Sequence, residues 1–197
     1  MAIEYELKFE TTPQVLAAID EKIAASATTY RMETTYYDTP TGQLSARHYT
    51  LRCRKENDVS VCALKTPAKN GRNEIELSCP RIEDALEALC QRANLPQLKE
   101  LLQEGIVPVC GARFTRIAKT LAVNGGTVEL ALDQGVLLGG GKEIPLCEVE
   151  VELKSGSTQV AETYAKALAL QFGLTPQPKS KFQRALQLAK GESYGKL

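Results

Sequence analysis

The chain has 197 residues, 43% apolar and 24% charged. That excludes wholesale disorder and gives one domain able to bury roughly 70% of its unfolded surface without covalent staples. The 24 Lys and Arg cancel the 24 Asp and Glu, with a pI near 6.6, which excludes a general binder of nucleic acid or anionic membrane. No apolar run reaches the roughly 18 residues of a membrane span. The opening MAIEYELKFE has no apolar segment of the kind a secretory signal needs.

The strict alternation of residues 3–9 predicts a strand. Residues 13–25 predict a helix, with Thr12 as N-cap and Pro13 at its first position. YYDTP brings a strand at 35–40 into a turn. Residues 48–56 and 57–67 alternate across an Asn-Asp turn and read as a hairpin. A strand follows at 73–77, after Asn70-Gly71. Helical spacing covers 82–93 and 97–104. The stretch 112–123 fits either period, but Asn124-Gly125-Gly126 then leads into a strand at 127–133, so 113–123 is read as a strand. Residues 147–153 are the clearest strand, 158–172 a helix ending at Gly173, 174–181 a loop, and 181–189 a last helix. Eight strands joined by hairpin-length turns, with five helices, predict an α+β fold: an antiparallel sheet or barrel with helices packed outside.

The six cysteines, Cys53, Cys62, Cys79, Cys90, Cys110 and Cys147, form no CxxC pair and have no histidine at metal spacing. They are expected to be reduced thiols, most of them buried, in a cytoplasmic protein.

The polar faces of the strands are nearly pure charge. Glu4, Glu6 and Lys8 alternate with Ile3, Tyr5, Leu7 and Phe9. Arg52 and Arg54 alternate with Leu51 and Cys53. Glu74 and Glu76 flank Ile75, and Glu129 and Asp133 share a face. Glu148, Glu150 and Glu152 oppose Cys147, Val149, Val151 and Leu153. Glutamates at i and i+2 lie about 7 Å apart and repel by about 2.4 kcal/mol at an effective dielectric near 20. A single such strand is accounted for by a solvated face. Five together gain a purpose if their charged faces turn inward, with carboxylates for a divalent cation and arginines for a polyanion.

In this order the residues resemble the CYTH superfamily, the triphosphate tunnel metalloenzymes. The resemblance runs through Glu4-x-Glu6-x-Lys8, YYDTP, Arg52-x-Arg54, Lys65, Arg72-x-Glu74, Arg116, Asp133-x-Gly135, Glu150-x-Glu152 and Ser180-Lys181. It covers nearly the whole chain. The wording ALDQG…CEVEVELKSG is most similar to the bacterial inorganic triphosphatases, whose longer members add a C-terminal CHAD domain that is not expected here. The resemblance implies one domain over 1–197, an eight-stranded antiparallel tunnel with helices outside, and hydrolysis of tripolyphosphate to pyrophosphate and phosphate. Glu4, Glu6, Asp133, Glu150 and Glu152 would hold Mg²⁺ or Mn²⁺. Glu148 extends the acidic row, and the family's register favours the 150/152 pair. Lys8, Arg52, Arg54, Lys65, Arg116 and Lys181, together with Glu74, would form the substrate site. Glu4, Glu6, Lys8, Glu150 and Glu152 would be catalytic. The partner is a small-molecule triphosphate, and the chain is a monomer or homodimer.

Two other readings stay open. One keeps the tunnel but makes it an adenylate cyclase or a thiamine or nucleoside triphosphatase. The absence of Trp and an aromatic content of 6% speak against a base-stacking platform. The other is a non-catalytic polyphosphate-binding module, which would not need four glutamates kept together. Outside the motifs, His48 is read as an ordinary strand residue, Tyr36 and Tyr37 as packing, and Lys179 as a surface neighbour of Lys181. Arg113 is read as exposed or as a second phosphate contact, and Glu76 and Glu129 as counter-charges to the arginines.

Overall fold

Residues 2–23, 26–69 and 71–192 are described by the structure, a computed structural model; Asn70 of the expected turn and positions 24–25 of the first expected helix lie outside these residues. The alternating segments are strands: β1 (Ala2–Glu4), β2 (Glu6–Glu10), β3 (Thr28–Asp38), β4 (Thr50–Glu56), β5 (Val59–Pro67), β6 (Arg72–Ser78), β7 (Val107–Val123), β8 (Gly126–Gly139), β9 (Lys142–Ser155) and β10 (Thr175–Pro176). Between them lie α1 (Pro13–Ile23), α2 (Gln43–Ala46), α3 (Ile82–Ala93), α4 (Pro96–Leu101) and α5 (Thr158–Phe172), and α6 (Lys181–Ala189) follows β10.

The strands pair antiparallel in one sheet of order β1-β6-β5-β4-β3-β7-β8-β9-β2-β10. The expected count of eight is corrected to ten, for two reasons. The first predicted strand is divided at Tyr5 into β1 and β2, and residues 175–176 of the expected loop lie on Phe9 and Glu10. A two-residue strand leaves no alternation to read. The hydrogen-bonded order runs from β1 to β10 and does not draw an eight-membered ring. Yet β1 lies on β6 while β2, one residue later, lies on β9, so the N-terminal segment touches both flanks of the sheet.

Other boundaries shift for local reasons. β3 and β7 extend 35–40 and 113–123 toward their N-terminal sides. The expected helix 97–104 is α4 followed by a 3-10 turn at Leu102–Glu104. α2 is too short to show a period. Its N-terminus is held by Asp38 of YYDTP, which accepts from Leu44 N (2.8 Å) and Ser45 N (3.1 Å). This satisfies a carboxylate that is only 1% exposed. His48 is not a strand residue; it sits in the turn before β4 with φ 58°.

Two apolar clusters cover one face of the sheet. α1 and α5 bury Leu16, Ile19, Ala161, Ala165 and Leu168 against Val128, Leu130, Val149 and Val151. α3 and α4 bury Ile82, Leu89 and Leu98 against Leu51, Leu64 and Ile75. Each fully buried side chain of this kind contributes about 1.5–3 kcal/mol. The expectation that all helices pack outside is corrected at α6. Its Phe182 and Ala185 pack on Met32, Tyr36, Phe114, Leu137 and Leu146, which share strand parity with the charged residues. That face is apolar at one end and ionic at the other, and α6 lies across it.

Candidate active site

The register sets the charges in rows. Glu6, Glu152 and Glu129 stand opposite one another on β2, β9 and β8, with Lys8 beside Glu150 in the next row. Glu148, Asp133 and Arg116 follow one row further on. On the other flank Tyr36 lies beside Arg52, and Lys65 beside Glu74. A period of two keeps these on the face opposite Val149 and Val151.

A cavity of about 210 Å³ opens among Glu6, Lys8, Arg52, Lys65, Arg72 and Lys181. Tyr36 also lines it, and its ring lies 5.1 Å from that of Phe182; Tyr37 packs on the other face with the α3–α4 cluster. Around the cavity Lys65 binds Glu4 (2.6 Å) and Glu74 (3.2 Å), and Lys8 binds Glu6 (3.0 Å). Arg52 binds Glu74 (3.2 Å) and Glu76 (3.1 Å), and Arg54 donates from Nε to Glu56 (2.7 Å). Among the described residues three buried Nε–H groups have no hydrogen-bond partner, those of Arg52 and Arg72 at this cavity and that of Arg184 away from it. Burial, and then the neighbouring Arg52 and Arg116, push Arg54 below its ordinary value, so three guanidinium groups share one neighbourhood.

At the α6 end Arg116 grips Asp133 with two hydrogen bonds of 2.7 Å and also pairs with Glu150. Lys181 reaches Asp133 (2.7 Å), Glu150 (2.6 Å) and Glu148, and Arg184 pairs with Glu148. Burial opposes each of these charges. Lys181 and Arg116 nevertheless hold Glu150 well below the usual carboxylate range, and Asp133 and Glu150 hold Arg116 well above its own. Arg184 stands outside the charged motifs of the sequence; its signal is its position three residues after Lys181, on the same helix face.

Oxygens of Asp133, Glu148 and Glu150 lie within 4.8 Å of one another, a donor set of hard oxygens that fits a divalent cation. Lys181, Arg116 and Arg184 balance these three charges. The other expected carboxylates lie apart from this trio: Glu4 on Lys65, Glu6 on Lys8, and Glu152 on Lys154 (2.9 Å). There the negative charge is less fully covered. Burial raises Glu152, and the nearby Glu4 and Glu129 add to it against Lys154. Glu129 has Lys154 at 3.8 Å, not an arginine, whereas Glu76 does pair with Arg52. Arg113 is exposed and bound to Glu143 (2.9 Å), and Lys179 donates to Gln187 (3.2 Å).

A sheet with one face given to paired carboxylates and cations, crossed by a C-terminal helix, defines the class of the chain. It matches the CYTH domain over residues 2–186 and belongs to that family. It is 28% identical over 195 residues to an inorganic triphosphatase of Haemophilus influenzae, covering 95% of this chain and 55% of that protein. The chain thus spans about half the length of the curated relative it matches. Among solved structures it is similar to a Hippeastrum protein described as an adenylyl cyclase with a dominant triphosphatase activity. The TM-score is 0.67 at 16% identity, over 98% of this chain and 97% of that one. It is also similar to a Bacillus halodurans protein described as an adenylate cyclase, with TM-score 0.63 at 17% identity, over 92% and 96%. At these identities the structures speak for the fold. Among the described residues no helix is long and apolar enough to cross a membrane.

Proposed function

We propose that residues 1–197 act as one domain, a metal-dependent inorganic triphosphatase that cleaves tripolyphosphate to pyrophosphate and phosphate. The carrying observation is the pair of buried, unpartnered Nε–H groups on Arg52 and Arg72, at a cavity ringed by Lys8, Lys65 and Lys181. Buried donors are normally satisfied, and a phosphate oxygen is the acceptor that guanidinium and ammonium groups in this number suit. In this reading the N-terminal segment, touching β6 and β9, closes the charged face into a tunnel.

Lys8, Arg52, Arg54, Lys65, Arg116 and Lys181 bind the phosphate oxygens, and Glu74 orients Arg52 and Lys65. Asp133 and Glu150, together with Glu148, would hold Mg²⁺ or Mn²⁺ where their oxygens converge. Glu4, Glu6 and Glu152, which lie apart from that trio on Lys65, Lys8 and Lys154, would offer carboxylates to a cation at their own end of the charged face. Without a cation Glu148 is taken up by Lys181 and Arg184 of α6. When bound, the cation neutralises phosphoryl charge and makes a water more acidic. The cations of the chain fix the triphosphate in line and stabilise charge as the bridging P–O bond breaks. Water supplies the new oxygen and pyrophosphate leaves. For that, Lys181 exchanges part of its carboxylate contact for phosphate.

The test is phosphate release with Mg²⁺ or Mn²⁺ from tripolyphosphate, ATP and thiamine triphosphate side by side. Tripolyphosphate should be the fastest. Cyclic AMP formed from ATP, or binding with no release from any of the three, would overturn the reading.

A further inference from the structure

The other face of β4 and β5 carries a thiol pair that this chemistry does not use. Cys53 and Cys62 are direct cross-strand partners, and their Sγ atoms lie 3.2 Å apart. Cross-strand partners hold their Cα atoms about 4.5–5.5 Å apart, inside the span a disulfide bridges. A bond of roughly 2.05 Å needs the sulfurs to approach by only about 1 Å. Cys62 is fully buried, while Cys53 is partly exposed and is the sulfur an oxidant can reach. Burial and the contact with Cys53 keep the Cys62 thiol protonated, which makes it a proton source and not the first nucleophile. Cys79 enters the cluster through its carbonyl, which lies 3.4 Å from Cys62 Sγ, while its own thiol donates to Arg81 O (3.3 Å).

We propose that Cys53 and Cys62 form an oxidation site at which hydrogen peroxide converts the two thiols to a cross-strand disulfide. The Cys53 thiolate attacks one peroxide oxygen, the O–O bond breaks, and Cys53 becomes a sulfenic acid as hydroxide leaves. The Cys62 sulfur then attacks the Cys53 sulfur, the S–O bond breaks, and the oxygen leaves as water with the Cys62 proton. Two thiols are oxidised, one peroxide is reduced, and two waters form. The bond ties β4 to β5 in the register they already hold. Arg52, Arg54 and Lys65 stand on the opposite face of these two strands. The inference is independent of the triphosphatase reading.

The full chain, reduced and then treated with hydrogen peroxide, is to be alkylated and mapped by mass spectrometry. A mass lower by two hydrogens is expected, with a linked Cys53–Cys62 peptide and loss of two of the six thiols. Cys79→Ser should oxidise in the same way. In Cys62→Ala, Cys53 should stop at the sulfenic acid and be trapped by dimedone. The wild-type map decides by itself if that variant does not fold. Cys53 and Cys62 both found as free thiols, when the peroxide-treated folded protein is denatured and alkylated, would overturn the proposal. A bond from Cys53 to Cys79, or a folded Cys62→Ala without the dimedone adduct, would do the same.

Discussion

Arg52 is only 8% exposed, yet its guanidinium has two carboxylate partners and one N–H with none. Leaving that buried donor open costs about 1–3 kcal/mol, which a phosphate oxygen in the adjoining cavity would recover. Arg52→Ala should therefore raise KM for tripolyphosphate about tenfold or more, at about 1.5–3 kcal/mol for a hydrogen bond to a charged group. Arg52→Lys should restore little, because an ammonium lacks the forked donors. A KM equal to wild type in both variants removes Arg52 from the phosphate site. Glu150 gives a second prediction. Its folded value lies well below its ordinary 4.5, so between the two the unfolded chain binds more protons. Its stabilising contribution is then complete above pH 4.5 and lost as pH falls below it. In chelator, Glu150→Gln should lower the urea midpoint at neutral pH, and the gap to wild type should close in acid. A gap that stays constant or widens in acid counts against the pairing. Much of this site was legible in the sequence because alternation fixes which side chains share a face. Which carboxylate meets which cation was not. That depends on register and on Arg184, which belongs to an element far along the chain.

The strands were legible from their period, and β7, β8 and β9 run longer than the alternation suggested because pairing carries them past it. The side on which α6 docks was not legible. Phe182 and Ala185 mark an apolar helix stripe, but only the assembled sheet shows that Phe114, Leu137 and Leu146 present an apolar end on the ionic face. Gly139 of β8 lets the helix approach that end. A Cβ there would meet Ala185 O at 2.4 Å and Ala189 N at 2.7 Å, both backbone atoms that cannot swing aside. Gly139→Ala should push α6 outward and cost about 2 kcal/mol through overpacking, read as a lower urea midpoint. Since α6 begins at Lys181, inside its Ser180–Gln183 capping box, turnover of tripolyphosphate should fall as well. A variant with wild-type midpoint and turnover would show that this contact does not set the position of the helix.

Across the molecule, zero net charge hides a separation of charge. Cations and carboxylates are concentrated on one face and paired there, and an incoming anion or metal must replace pairs that already exist. Anion and cation should therefore bind better together than singly, because each releases partners that the other can take. Ligand at a hundredfold excess over its Kd stabilises the folded chain by about 2.7 kcal/mol. For a protein of this size each kcal/mol moves Tm by about 2–4 °C, so a rise of about 5–10 °C is expected. The measurement is a thermal melt with Mg²⁺ alone, pyrophosphate alone, both together, and pyrophosphate with EDTA. The combined shift should exceed the sum of the single ones. An equal shift from pyrophosphate in EDTA would leave an anion site without a metal. No shift under any condition would mean that the charged cavity binds neither.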